Sequence, residues 1–241
     1  MNTWLVGGAV LLCCLALLWY QVPLTRMLFL MARVTPYTQT PAAPTASLLI
    51  LGDSTGYGTG ATNATHSIAG LLGGEFPHLS IYNDSVNGRT LQQAAAAYVD
   101  THRDQSYDLV LLQVGGNDIL AGTPLADIET SLRTLYELTD ASQVLLMPCG
   151  NVGAAPRFHG SKAAALSQRT REVFALFEEV SAEYDVTFVN LYLPEHEDPF
   201  VARPEVYISL DGLHPSDAGY AYWYTKLKPA FEAAPQTTHS S

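Results

Sequence analysis

The chain has 241 residues and carries 12 Lys+Arg against 23 Asp+Glu, a formal net charge of −11. Apolar residues make up 48% and charged residues 15%, which excludes a disordered or collagenous chain, and the acidic balance excludes a basic nucleic-acid binder. The charge is also split: residues 1–46 hold Arg26 and Arg33 and no acid, so they carry +2, which leaves −13 for residues 47–241.

Residues 4–20, WLVGGAVLLCCLALLWY, contain no charged side chain. As a helix they would measure about 25 Å, near the short end of a membrane span. Trp4 stands at one end and Trp19 with Tyr20 at the other, where aromatic rings favour the headgroup zone. A cleaved signal peptide is the rival reading. Against it, the first three residues carry no Lys or Arg and no clear small-x-small cleavage site follows the run. Residues 22–34 stay apolar, with Arg26 and Arg33 on one helical face, as an interfacial helix would have them. The expectation is therefore an N-terminal membrane anchor over residues 1–34. The positive-inside rule places the rest on the cytoplasmic face, with a periplasmic or secreted domain as the alternative.

Residues 35–46 hold three prolines and four threonines and read as a semi-stiff polar linker. Residues 47–232 then form one domain, and residues 233–241 a frayed tail. Cys13 and Cys14 lie in the apolar run and Cys149 stands alone, so no disulfide framework is expected.

Within the domain, short apolar runs at 46–53, 79–84, 107–115, 142–150 and 186–192 suit strands buried on both faces of a parallel sheet. Helical patterns lie between and after them, at 65–75, 90–100, 124–138, 162–183 and 216–231. Pro124 follows Thr123 as a helix start, and Leu166, Val173, Phe174, Phe177 and Val180 mark the buried stripe of the longest helix. Alternating strands and helices argue for a three-layer α/β fold with few allowed topologies. Ligands in such folds bind beyond the carboxyl ends of the strands.

Four polar segments stand at those ends or before the last helix: Gly52-Asp53-Ser54, Asn83 to Thr90, Gly115-Gly116-Asn117-Asp118, and Asp211 to Pro215. A serine hydroxyl becomes a nucleophile when a base takes its proton. His214 titrates in the right range to do so, and Asp211, three residues upstream, can orient the imidazole and stabilise its charged form. A tetrahedral oxyanion needs fixed donors, which the Ser54 and Gly88 backbone N–H groups and the Asn117 amide can supply. Asp53 and Asp118 read as scaffold residues.

With these four blocks in order, the chain resembles the SGNH hydrolases, also called GDSL esterases, over roughly residues 47–232. Gly52-Asp53-Ser54, Gly88, Gly115 to Asp118 and Asp211 to Pro215 match the family's blocks. One departure is clear: Ser85 and Asn87 stand where the second block often has Gly and Ser, so this loop can shape a different pocket. The resemblance implies a flavodoxin-like five-stranded sheet of order 2-1-3-4-5. It implies Ser54, His214 and Asp211 as the triad, Ser54, Gly88 and Asn117 as the oxyanion hole, and no metal or organic cofactor. The expected partner is an ester. Membrane tethering favours a lipid or lysophospholipid ester, with a short-chain or O-acetyl-carbohydrate ester as the alternative.

Other readings are weaker. Gly56 to Ala61 fits a dinucleotide-binding glycine pattern, but Asp53-Ser54-Thr55 intervene between strand and helix. A non-catalytic flavodoxin-like binding domain is therefore remote, and the glycines are expected to form a mobile loop beside Ser54. No paired histidine spacing suggests a metal site. Glu195-His196-Glu197-Asp198 reads as a solvated acidic loop. The segments 148–160 and 194–209 are placed to line a pocket, and for Arg157 and Arg203, the cations there, meeting an anionic substrate and ordinary surface roles are equal readings.

Overall fold

A computed structural model describes residues 34–233. The expected anchor run 4–20, all but the last residue of the interfacial segment, and the tail 234–241 lie outside the described residues. Among the described residues no helix is long and apolar enough to cross a membrane.

Five parallel strands form one sheet: β1 (Ala46–Gly52), β2 (Leu79–Ser85), β3 (Tyr107–Gln113), β4 (Ala141–Leu146) and β5 (Thr187–Phe188). Their order is β2-β1-β3-β4-β5, as the resemblance implied. Each central strand is apolar throughout because alternate residues serve two cores. Leu49 and Leu51 of β1 and Val110 and Leu112 of β3 face one core. Leu48 and Ile50 of β1, with Leu109 and Leu111 of β3, face the other.

The first core is closed by α3 (Leu91–Thr101), α5 (Leu125–Leu138) and α6 (Gly160–Glu183). The second is closed by α2 (Ile68–Glu75) and α9 (Asp217–Glu232). The expected stripe of α6 is buried in full, from Leu166 to Val180. Four short helices went unread in the sequence: α1 (Ser54–Tyr57), α4 (Gly116–Ala121), α7 (Pro199–Ala202) and α8 (Pro204–Tyr207). All four follow the carboxyl ends of strands or lie in the loop before the last helix.

Three sequence expectations are corrected. The run 186–192 yields only the two strand residues Thr187 and Phe188, paired with Leu145 and Leu146. β4 stops well short of Gly150: Met147 N–H still donates to Leu112 O (2.9 Å), but Pro148 has no N–H to continue the ladder. The polar linker, finally, is tied down. Gln39 exchanges backbone hydrogen bonds with Ile81 (3.1 and 2.8 Å), and its side-chain amide donates to Phe76 O (3.0 Å) and Leu79 O (2.8 Å). Residues 37–39 thus cover the open edge of β2, which would otherwise present unpaired backbone groups.

Candidate active site

β1 ends at Gly52, and Asp53 caps α1, so Ser54 stands on the first residue of a helix at the carboxyl edge of the sheet. Asp53 Oδ1 accepts from Thr55 N–H (2.8 Å) and Thr55 Oγ1 (2.9 Å), which turns the chain sharply after the strand. The Asp53 N–H is in turn held by Gln113 O of β3 (2.8 Å).

His214 comes from the turn before α9. A carboxylate can only accept, so His214 Nδ1–H donates to Asp211 Oδ2 at 2.6 Å. Nε2 is then free to accept from Ser54 Oγ, 2.9 Å away. The other oxygen of Asp211 accepts from Ser209 Oγ (2.7 Å), Leu213 N–H (2.8 Å) and His214 N–H (2.9 Å). Burial pushes the Asp211 carboxyl upward, but the hydrogen bonds and charge of His214 and the neighbouring N–H groups outweigh it and hold the group well below its ordinary range. The carboxylate is therefore ionised wherever the imidazole needs it.

The glycine pattern at 56–61 has a structural purpose. Gly58 and Gly60 have φ of 88° and 98°, and a Cβ on Gly60 would collide with Pro215 O and crowd His214 Cβ. Thr59 is buried, its hydroxyl donates to Asn87 Oδ1 (2.6 Å), and its carbonyl accepts from Tyr220 Oη (2.8 Å). The loop is packed and bonded behind His214, which corrects the expectation of a mobile loop.

Gly88 has φ of 82°, a left-handed conformation that L side chains seldom adopt. Asn117, on α4, donates from Nδ2 to Arg89 O (3.0 Å) and more weakly toward Asp53 Oδ2 (3.4 Å). Asp118 Oδ2 accepts the first helical N–H of α3, from Leu91 (2.9 Å). Sequence reasoning missed what holds the 84–89 loop. The Arg89 guanidinium, buried under it, donates to Asp84 O and to Asp84 Oδ1 (3.0 Å). Buried His102 spans Asp84 Oδ2 (3.1 Å) and Tyr107 Oη (2.8 Å). The available signal was only that these polar residues fall within or beside otherwise apolar runs.

Ser54, Gly88, Asn117 and His214 all border one cavity of about 250 Å³. One wall, with Val152, belongs to the α6 side of the sheet and the other, with Leu191, Phe200 and Trp223, to the α9 side, and Leu120 and Ala155 also line the cavity. The segments 148–160 and 194–209 do line it, as expected, but Arg157 and Arg203 do not. Arg203 lies over the Tyr207 ring, 5.3 Å from its centroid. Two carboxyl groups on the wall are out of the ordinary. Burial pushes Asp53 up to about 6, against the Thr55 hydrogen bonds and the charge of His214. Burial likewise raises Asp198, against its hydrogen bond from Phe200 N–H. Among the described residues no three His, Cys, Asp or Glu side chains are grouped to hold a metal ion.

A hydroxyl placed this way can pass its proton to an imidazole already anchored on a carboxylate, which is what serine hydrolases require of their nucleophile. Comparison with known proteins gives the same class. The chain belongs to the GDSL-like Lipase/Acylhydrolase family, which matches residues 50–222. It is 28% identical over 179 residues to Thioesterase 1/protease 1/lysophospholipase L1 of Escherichia coli K12, covering 73% of this chain and 78% of that protein. Its fold is similar to a lipase/acylhydrolase from Enterococcus faecalis (TM-score 0.59, 18% identity, 78% of this chain and 95% of that one). It is also similar to a catalytic mutant of Axe2, an acetylxylan esterase from Geobacillus stearothermophilus (TM-score 0.55, 19% identity, 81% and 96%).

Proposed function

We propose that the chain is a membrane-tethered serine hydrolase that cleaves carboxylic esters through an acyl-Ser54 intermediate. The observation that carries this reading is the hydrogen-bonded line Asp211–His214–Ser54, 2.6 and 2.9 Å long, opening on an apolar cavity. Ser54 Oγ attacks the ester carbonyl carbon as its proton passes to His214 Nε2. Asp211 stabilises the imidazolium. The negative oxygen is met by the N–H groups of Ser54 and Gly88 and by the Asn117 amide, which gives up its weak contact to Asp53. The C–O bond to the alcohol then breaks, and the alcohol leaves with the proton from His214. Water repeats the sequence on the acyl-enzyme, with His214 first as base and then as acid.

For the substrate, the apolar run 4–20, the apolar cavity walls and the E. coli relative named for lysophospholipase activity support a lipid or lysophospholipid ester. A specific observation favours a second reading. The cavity, about 250 Å³, falls below the ~300–1,000 Å³ usual for ligand pockets, which suits a short acyl group. Nitrophenyl esters from about two to about sixteen carbons separate the two by differential kcat/KM. Activity rising with chain length supports the lipid reading, and a maximum at the shortest ester selects the other. Fluorophosphonate labelling of the full chain tests the mechanism: equal labelling of Ser54→Ala and wild type would overturn it. Recovery of the chain in the soluble fraction after lysis would remove the tether, and C-terminal reporter fusions decide which face the domain occupies.

A further inference from the structure

The acidic run 195–198 does not behave as one solvated loop. Glu195, His196 and Glu197 are exposed, but Asp198 is only 4% exposed and stands on the cavity wall. Its Oδ1 caps α7 by accepting from Phe200 N–H at 2.9 Å. Its other oxygen has no partner among the described residues, and no ion pair reaches it. Capping alone would be met by an uncharged Asn or Ser, so the charge is surplus to that role. With one protein hydrogen bond on a carboxylate that is only 4% exposed, the second oxygen is left to solvent or to whatever polar or cationic group enters the cavity. The cavity lining includes no Lys or Arg to do so.

Aromatic rings line the same cavity as Asp198. Phe200 packs against Tyr222 (6.0 Å between centroids) and Trp223 (5.7 Å), and all three line the cavity with Asp198. Aromatic faces attract cations, and alkylammonium groups in particular, with a strength that grows when water is excluded. Glu195 and Glu197 nearby and the −13 of residues 47–241 steer cations toward the domain and anions away.

We propose that Asp198, Phe200, Tyr222 and Trp223 form a subsite for an alkylammonium group carried by the ester substrate, set on the same cavity as Ser54 and His214. The proposal rests on the esterase reading above and narrows its substrate class. Without a cation, the wall would bind nothing that its aromatic and aliphatic neighbours could not bind equally well.

The test compares each cationic ester with its all-carbon isostere on the full chain. One arm puts the cation on the alcohol, with butyrylcholine against neohexyl butyrate. The other puts it on the acyl group, with the methyl ester of trimethylammoniobutyrate against its all-carbon isostere. In one arm kcat/KM is expected to favour the cation by about tenfold, the effect of roughly 1.4 kcal/mol, and Asp198→Asn, which keeps the cap, is expected to bring the ratio close to one. If circular dichroism shows that variant unfolded, Tyr222→Leu takes its place and is expected to lower the ratio. A ratio near one in both arms for the wild type overturns the proposal, as does a preference that folded Asp198→Asn leaves intact.

A binding measurement separates this from failure of the esterase reading. Choline is titrated into full-length Ser54→Ala while tryptophan fluorescence is followed, with Trp223→Phe run in parallel to subtract the emission of Trp4 and Trp19. Saturable quenching that Asp198→Asn weakens supports the subsite even if no ester turns over. Turnover of neutral esters with neither discrimination nor choline binding removes the subsite and leaves the esterase standing.

Discussion

The turn 209–215 and the loop 84–91 each carry one half of the proposed chemistry, and they are held in opposite ways. In the turn, Asp211 collects Ser209 Oγ, Leu213 N–H, His214 N–H and His214 Nδ1–H, all from within three residues. The loop adds distant partners to its own Arg89–Asp84 pair. Asp84 is reached by His102, Arg89 O by Asn117, Asn87 by Thr59, and Leu91 N–H by Asp118. The carboxylate–imidazole half of the relay can thus be written into one short stretch of chain, with only Ser54 brought from afar, whereas an oxyanion hole must be assembled by the tertiary fold. Substitutions in the turn should act on chemistry where they stand, and substitutions around the loop should act at a distance.

The largest effects belong to the relay. Ser54→Ala or His214→Ala is expected to lower kcat on a nitrophenyl ester by about 10⁵-fold or more, with little further loss when the two are combined. Asp211→Asn is expected to cost about 10⁴-fold, since it leaves the imidazole in the wrong tautomer. It should also lower the melting temperature at neutral pH. Because the folded Asp211 titrates below its unfolded value, its stabilisation is present above that unfolded value and fades as pH falls through the folded one. Melting curves of wild type and variant should therefore converge in acid.

The loop tests come next. Asn117→Ala should cost about 10²–10³-fold in kcat, as loss of one oxyanion donor does. Arg89 does not line the cavity, yet its guanidinium holds the loop and its carbonyl orients Asn117. Arg89→Met should therefore lower kcat by about tenfold with KM little changed, and its effect should shrink in an Asn117→Ala background. Full additivity of the two would show that Arg89 does not work through Asn117. His102→Phe removes one partner each from Asp84 and Tyr107, which keep Arg89 and Gln105, and should cost about 1–2 kcal/mol of stability, read from urea denaturation, with a smaller loss of activity.

The same contrast explains what could be read from the sequence. The central strands, the longer helices and the sheet order were legible because apolar periodicity and family spacing are local or ordered along the chain. So were Asp211, His214 and Ser54, each marked by a short motif at an element boundary. The Asp84–Arg89–His102–Tyr107 network was not, because its bonded pairs are 5 to 18 residues apart and nothing in composition ties them together. The short helices α1, α4, α7 and α8 were also missed: four to six residues are too few for a helical period to show. Asp198 was grouped with its exposed neighbours because charge along the chain says nothing about which carboxylate turns inward.

Asp53 sits where the two regions meet, beside Ser54 and within 3.4 Å of Asn117 Nδ2, and it gives the smallest and most pH-dependent test. In the folded chain burial pushes its carboxyl from 3.8 up to about 6. Folding therefore favours the protonated group. The favourable contribution is complete below the unfolded value and is lost as pH rises through about 6. Above that, the ionised carboxylate costs the fold on the order of 3 kcal/mol. Asp53→Asn keeps an oxygen for the Thr55 N–H and removes the charge, at the expense of an amide group that needs its own partner. The variant should thus melt higher than wild type at mildly alkaline pH, by an amount equivalent to about 1–2 kcal/mol, and the advantage should disappear in acid. A difference that stays constant with pH would mean that Asp53 stabilises the turn through geometry alone, and that its buried charge is already compensated by His214 and the Thr55 hydrogen bonds.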